Sequence, residues 1–145
     1  KTQSAGAKAK AIVLRKEFTE ERDLFSIDYT SAYSTPNLDK LIRTFVYDRQ
    51  GEGNFTVSDE FTANVPIRFE TAITTQADWK VLDDTRLLLT SGTEQMIVNI
   101  EASGKVAFTS ETIEVNASAY TRIGIALKEQ AEKGYIWLKM QAKQL

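Results

Sequence analysis

The stretch Gly53-Asn54-Phe55-Thr56-Val57-Ser58-Asp59-Glu60-Phe61 decides the fold. Phe55, Val57 and Phe61 alternate with Thr56, Ser58 and Glu60, the period-2 pattern of a half-buried strand. Asp59 falls on the apolar side and interrupts it. The following segment continues the pattern, with Val65, Ile67, Phe69 and Ile73 against Arg68, Glu70 and Thr74, and reads as a second strand. Pro66 places its beginning at a sheet edge or first strand position, because proline cannot donate to a ladder.

Outward from there, strands are predicted at Ala11 to Phe18, Leu24 to Tyr29, Arg86 to Thr90 and Met96 to Glu101. Others are predicted at Val106 to Phe108, Glu111 to Val115, Ala119 to Leu127 and Tyr135 to Ala142. Turn signals separate them at Gln50-Gly51-Glu52-Gly53, Ser91-Gly92-Thr93 and Ser103-Gly104-Lys105. About ten short strands in succession predict an all-β, two-sheet antiparallel sandwich with little or no helix. No fixed-period repeat points to a propeller or solenoid.

Two segments pull towards helix. Thr35-Pro36 could open one, with Leu38, Leu41, Ile42 and Phe45 at helical spacing. The β-rich run Thr44-Phe45-Val46-Tyr47 limits this to one turn followed by a strand. Lys128 to Lys133, before Gly134, is too short to sustain a helix and reads as a loop between the last two strands.

The 145 residues are the size of one domain. Residues 1–10, rich in Ala, Lys, Ser and Gly, read as a linker leading into a sandwich over residues 11–145. The first residue, Lys1, suggests a mature or excised fragment with something upstream. A net charge of −2 lacks the basic surplus that phosphate neutralisation demands, which argues against a nucleic-acid partner. No apolar run approaches the roughly 20 residues a spanning helix needs, so no membrane insertion is expected.

The absence of cysteine and histidine removes disulfides, thiolate nucleophiles, the commonest transition-metal ligand and the usual neutral-pH proton carrier. Ser-His-Asp and Cys-His arrangements cannot be assembled. The remaining candidates are weaker. Glu20-Glu21, Asp59-Glu60 and Asp83-Asp84 offer paired carboxylates for acid-base work or calcium, but strand neighbours point to opposite faces and the other pairs read as solvated turns. Arg43, Tyr47 and Arg49, or Tyr120 and Arg122, could pair a phenol with a cation. Arginines lying along rings and bridging to cross-strand acids explain them as well.

Carbohydrate binding calls for exposed aromatics that stack on pyranose faces, and the candidates are Trp79, Tyr135 and Trp137. On the last strand Tyr135, Trp137, Lys139 and Gln141 share the face opposite Ile136, Leu138 and Met140. Two aromatics should therefore point away from the main core, towards a sugar or towards another domain. The glycosylation patterns at Asn54-Phe55-Thr56 and Asn116-Ala117-Ser118 are too short to carry weight.

Several of these segments, in this order, resemble the C-terminal β-sandwich region of the heparinase II/III-like polysaccharide lyases. They are Asp28-Tyr29-Thr30-Ser31-Ala32-Tyr33, Arg43-Thr44-Phe45-Val46-Tyr47-Asp48-Arg49, Val57-Ser58-Asp59-Glu60-Phe61, Ala77-Asp78-Trp79-Lys80 and Thr121-Arg122-Ile123-Gly124-Ile125. The resemblance runs from about Ala11 to Gln141. It implies a periplasmic or secreted bacterial enzyme with an N-terminal helical toroid, cleaving uronic-acid-containing glycans by β-elimination. In the family that chemistry falls to Asn, Tyr, His and Arg residues outside the matched region, so no catalytic position carries over. The implied role of this chain is a non-catalytic accessory domain, without cofactor or metal, whose partners are the catalytic domain of the same polypeptide and an acidic polysaccharide. A carbohydrate-binding module and an immunoglobulin-like spacer or adhesion domain fit the same fold.

Overall fold

The computed structural model describes residues 9–115 and 118–143. Most of the predicted linker, and Asn116-Ala117 of the second glycosylation pattern, lie outside the described residues. Eleven strands and one short 3-10 turn make up the described chain. The strands are β1 (Ile12–Phe18), β2 (Arg22–Asp28), β3 (Leu38–Asp48), β4 (Asn54–Ile67), β5 (Glu70–Thr75), β6 (Asp78–Asp83), β7 (Arg86–Ser91), β8 (Glu94–Ala102), β9 (Val106–Val115), β10 (Ser118–Leu127) and β11 (Ala131–Ala142). They form an eight-stranded sheet ordered β1-β2-β3-β4-β11-β8-β7-β6 and a three-stranded sheet ordered β5-β10-β9. Every pairing is antiparallel. The all-β sandwich read from alternation is what the chain forms.

Three strand predictions need correction. The segment from Val65 to Ile73 is not one strand: β4 ends at Ile67, and the chain crosses to the small sheet at Arg68-Phe69 before β5 begins. Phe69 makes that corner by stacking on Phe61, with ring centroids 4.4 Å apart. Pro66 therefore sits near the end of a strand, past Ala63, where the pairing with β3 has stopped. Val106 to Phe108 and Glu111 to Val115 fuse into the single strand β9, and β6 was not foreseen. The helical turn lies upstream of Pro36, at Thr30–Ala32. Pro36 instead occupies a tight turn closed by Leu38 N donating to Thr35 O at 3.1 Å.

The core lies between the sheets. Leu41, Phe61, Leu87, Leu89, Val98, Ile100, Ile136 and Leu138 of the large sheet meet Val106, Ile123, Ile125 and Leu127 of the small one. Removing each large apolar side chain from water is worth about 2 kcal/mol. β11 is the central strand, pairing Leu138 with Val57 on one side and Ile100 on the other. Its Gly134 lies against Phe61 and Ser103, close enough that a Cβ would stand 2.6 Å from Ser103 Oγ and 2.9 Å from Phe61 Cε1.

Candidate functional site

Cross-strand partners in a sheet share a face, so the registers decide where the predicted aromatics point. Ile136 and Leu138 face the core, which puts Tyr135 and Trp137 on the outer face of the large sheet. Their rings touch there, with centroids 4.9 Å apart and planes inclined by 39°. Trp137 is 37 % exposed and lies between Ser58 and Glu101, while Tyr135 lies beside Glu60. A shallow groove of about 630 Å³ runs past Tyr135, bordered by Lys40, Ile42, Glu60 and Lys133.

Trp79 does not join them. It sits on β6, the far edge strand, in register with Leu89, whose side chain belongs to the core. Its ring packs on that core from the inner face, opposite the face of Tyr135 and Trp137. The predicted trio is thus a pair and an isolated edge residue.

The polar centre of the molecule is Asp59, only 1 % exposed and buried at the apolar interface. It accepts from Arg43 Nε and Nη2, each at 2.7 Å, from Tyr29 Oη at 3.0 Å and from Thr71 Oγ1 at 2.6 Å. Arg43 Nη2 also donates to Thr71 Oγ1 at 3.2 Å, and the guanidinium lies 5.5 Å from the Tyr29 ring centre. Four donors on one carboxylate satisfy the lone pairs that burial would otherwise strand. Burial, and then the adjacent Asp59 charge, hold the Tyr29 phenol protonated far above its ordinary range. Its proton is committed to Asp59, so this group is arranged as a clamp and not as a base. The clamp joins β3, β4 and the Tyr29 loop of the large sheet to β5 of the small one.

The other arginine candidates are held in the same manner. Arg49 pairs with Asp23 and lies 5.0 Å from the Tyr47 ring centre. Arg122 bridges to Glu70 at 2.7 Å and to Glu111 at 3.5 Å on the outer face of the small sheet. Of the paired carboxylates, Asp59 is buried and Glu60 exposed on opposite faces, while Asp83 is bound to Thr85 and Arg86. Among the described residues no three acidic side chains gather to hold a metal ion.

Sequence reasoning did not single out the uncovered part of the inner face. The small sheet stands over β4 and its neighbours on the β11 side, as Phe69 on Phe61 and Thr71 on Asp59 show. Beyond it, the inner positions of β1 to β3 and the start of β4 carry Phe18, Phe25, Ile27, Phe45, Tyr47 and Phe55, with Lys16 and the Arg49-paired Asp23 among them. Phe18 is 67 % exposed and Tyr47 43 %. A cleft of about 680 Å³ opens between the large sheet and the free side of β5, lined by Tyr29, Tyr33, Leu41 and Arg43 on one side and Thr71 and Ala72 on the other, and Ile27 of this apolar wing packs against the core.

The described residues thus form an antiparallel sandwich with a partly covered large sheet, an internal ionic clamp and an outer aromatic pair. No protein-family model and no curated protein matches the sequence. The fold does match solved structures. A structure of heparinase III superposes with TM-score 0.70 at 18 % identity, over 97 % of this chain and 23 % of that one. The heparan sulfate lyase HepC from Pedobacter heparinus gives TM-score 0.68 at 14 % identity, over 94 % of this chain and 22 % of that one. A further heparinase III structure gives 0.68 at 10 % identity, over 92 % and 22 %. The chain thus has the fold of one part of heparinase III, spanning less than a quarter of its length, in keeping with the resemblance its motifs carry.

Proposed function

We propose that the chain is the C-terminal accessory domain of a bacterial, periplasmic or secreted polysaccharide lyase acting on uronic-acid-containing glycans, and that it packs against the catalytic part of the same polypeptide. The observation that carries this is the asymmetry of the match: nearly all of this chain corresponds to under a quarter of each lyase. The wing supports it, because apolar area of this kind is normally covered in a monomeric protein. The lack of histidine and the closed Asp59 clamp support a reading in which the β-elimination chemistry falls to residues elsewhere. The test compares the 145-residue chain with the full-length polypeptide on heparan sulfate, followed by the ultraviolet absorbance of unsaturated uronate. Activity only in the longer protein is expected. A rise with the short chain alone would overturn the accessory role.

A carbohydrate-binding role is favoured separately by the contact of Tyr135 with Trp137 on the solvent side of the sheet. Adjacent rings rimmed by Glu60, Glu101 and Lys139 offer a stacking surface with polar neighbours for sugar hydroxyls. Affinity electrophoresis in gels containing heparan sulfate, alginate or a neutral glycan tests it. Retardation that Trp137→Ala abolishes is expected, and unretarded migration in every gel ends this reading.

A further inference from the structure

The sandwich has four strand edges: β1 and β6 in the large sheet, β5 and β9 in the small one. Exposed edges invite pairing with another chain and are ordinarily blunted by charge, bulges or proline. Three of the four follow that rule. β1 carries Arg15, Lys16 and Glu17 with an irregularity between Val13 and Arg15. β6 carries Asp78, Lys80 and Asp83 with an irregularity between Val81 and Asp83. β9 carries Glu111 and Glu114. β5, with the sequence Glu-Thr-Ala-Ile-Thr-Thr, has one charge, at its first residue, and Arg122 already holds it. Its pairing with β10 runs unbroken from Glu70 to Thr75.

The unblunted edge is also the one that borders the apolar wing. Phe69 stands over Phe61 and Thr71 over Asp59, so β5 runs in the direction from Phe61 towards Phe55. The cleft follows its free side past Glu70, Thr71, Ala72 and Thr74. Among the described residues the strand pairs only with β10, so the outward backbone groups of alternate residues open into that cleft. A strand placed about 4.8 Å beyond β5 would extend the small sheet over β3 and β2. Its inward side chains would meet Ile27, Phe25 and Phe45.

We propose that β5 accepts a further strand along its free edge, supplied by the same polypeptide outside these 145 residues, with apolar side chains at alternate positions covering the Phe25–Phe45 wing. The inference rests on the chain being one domain of a longer protein. The length is available, since the similar structures are more than four times as long as the part this chain matches. An apolar floor bordered by unpaired backbone suits a peptide strand better than a glycan, whose hydroxyls would find few partners on Phe25, Phe45 and Phe55.

The test is hydrogen–deuterium exchange on the full-length polypeptide, read residue by residue over 70–75, with β1 and β6 as internal free-edge references. Strand addition predicts that consecutive β5 amides all exchange as slowly as those of central β10. A free edge gives alternate fast and slow amides, as in the references, and that pattern would overturn the proposal. A photo-crosslinking residue in place of Thr74 identifies the occupant. Crosslinks to an upstream or downstream peptide of the same molecule are expected, whereas a crosslinked dimer would assign the edge to a second copy and overturn the proposal. Lyase activity is measured on the same sample. Protected β5 without activity sinks the lyase reading and leaves strand addition standing; activity with an alternating β5 pattern does the reverse.

Discussion

Arg43 and Asp59 face each other across β3 and β4 in register, and the guanidinium grips both carboxylate oxygens at 2.7 Å, the carboxylate buried and the guanidinium partly open to solvent. A charge taken out of water is tolerated when a geometrically matched partner and further donors replace the lost hydration. Tyr29 and Thr71 are those donors, and Thr71 comes from the other sheet. The interaction therefore fixes how the sheets meet, at the place where the apolar interface is broken.

Asp59→Ala should cost about 3 to 5 kcal/mol, because it leaves the Arg43 charge half-buried without its partner and two hydroxyl groups without an acceptor. Replacing both residues, as Arg43→Met with Asp59→Leu, should cost clearly less than Asp59→Ala alone. Urea denaturation of the two variants and the parent checks this. If the double variant is as unstable as the single, the loss comes from packing and the two stranded hydroxyls and not from the stranded charge.

Tyr29→Phe should cost about 2 kcal/mol, the order expected for a buried hydrogen bond to a charged acceptor. It should also change the alkaline limb of stability. The folded phenol keeps its proton where the unfolded one, with its ordinary value near 10, releases it. Stability from this group is therefore complete below that value and is lost as pH rises beyond it. Denaturation midpoints between pH 8 and about 11 should fall less steeply for Tyr29→Phe than for the parent, and parallel curves would contradict the assignment.

Much of this architecture is written in alternation. The opposition of Tyr135 and Trp137 to Ile136 and Leu138 follows from period 2 alone, and the registers place them accordingly. Asp59 was visible as an anomaly, but its partners lie 12, 16 and 30 residues away, and local pattern carries no pairing information over such distances. The face of Trp79 is not legible in the sequence, because its six-residue edge strand is too short and too charged to show it. The wing escaped for a different reason. Alternation separates two faces of a strand without saying whether a second sheet stands over either, so Phe45 and Leu138 look alike in sequence and differ in what covers them.

Asp28 should control part of the acid limb. Its carboxylate accepts Thr30 Oγ1 at 2.6 Å and Thr30 N at 3.0 Å, and these bonds hold it below the usual carboxylate range. Thr30 Oγ1 in turn accepts from Leu41 N at 2.7 Å, tying the 3-10 turn to β3. As pH falls below about 4 the unfolded chain takes up this proton first, so the stabilisation present at neutral pH is lost through the folded value. Asp28→Asn should flatten the decline of the urea midpoint between about pH 5 and pH 3. An unchanged slope would show that Asp28 contributes nothing to it.

Gly134 should tolerate no side chain as things stand. A Cβ there meets Ser103 Oγ at 2.6 Å and Phe61 Cε1 at 2.9 Å, and Phe61 is buried and stacked on Phe69, which limits how far its ring can give. Ser103 can give: its hydroxyl accepts from Tyr135 N at 3.1 Å at the exposed end of β8. Gly134→Ala should therefore destabilise the protein by about 1 to 3 kcal/mol, the range for forcing extra volume into a packed site. Gly134→Ala with Ser103→Gly should recover only the part due to the serine clash. Full recovery in thermal denaturation would mean that Phe61 is free to move, and that the corner between the two sheets is looser than its stacked rings imply.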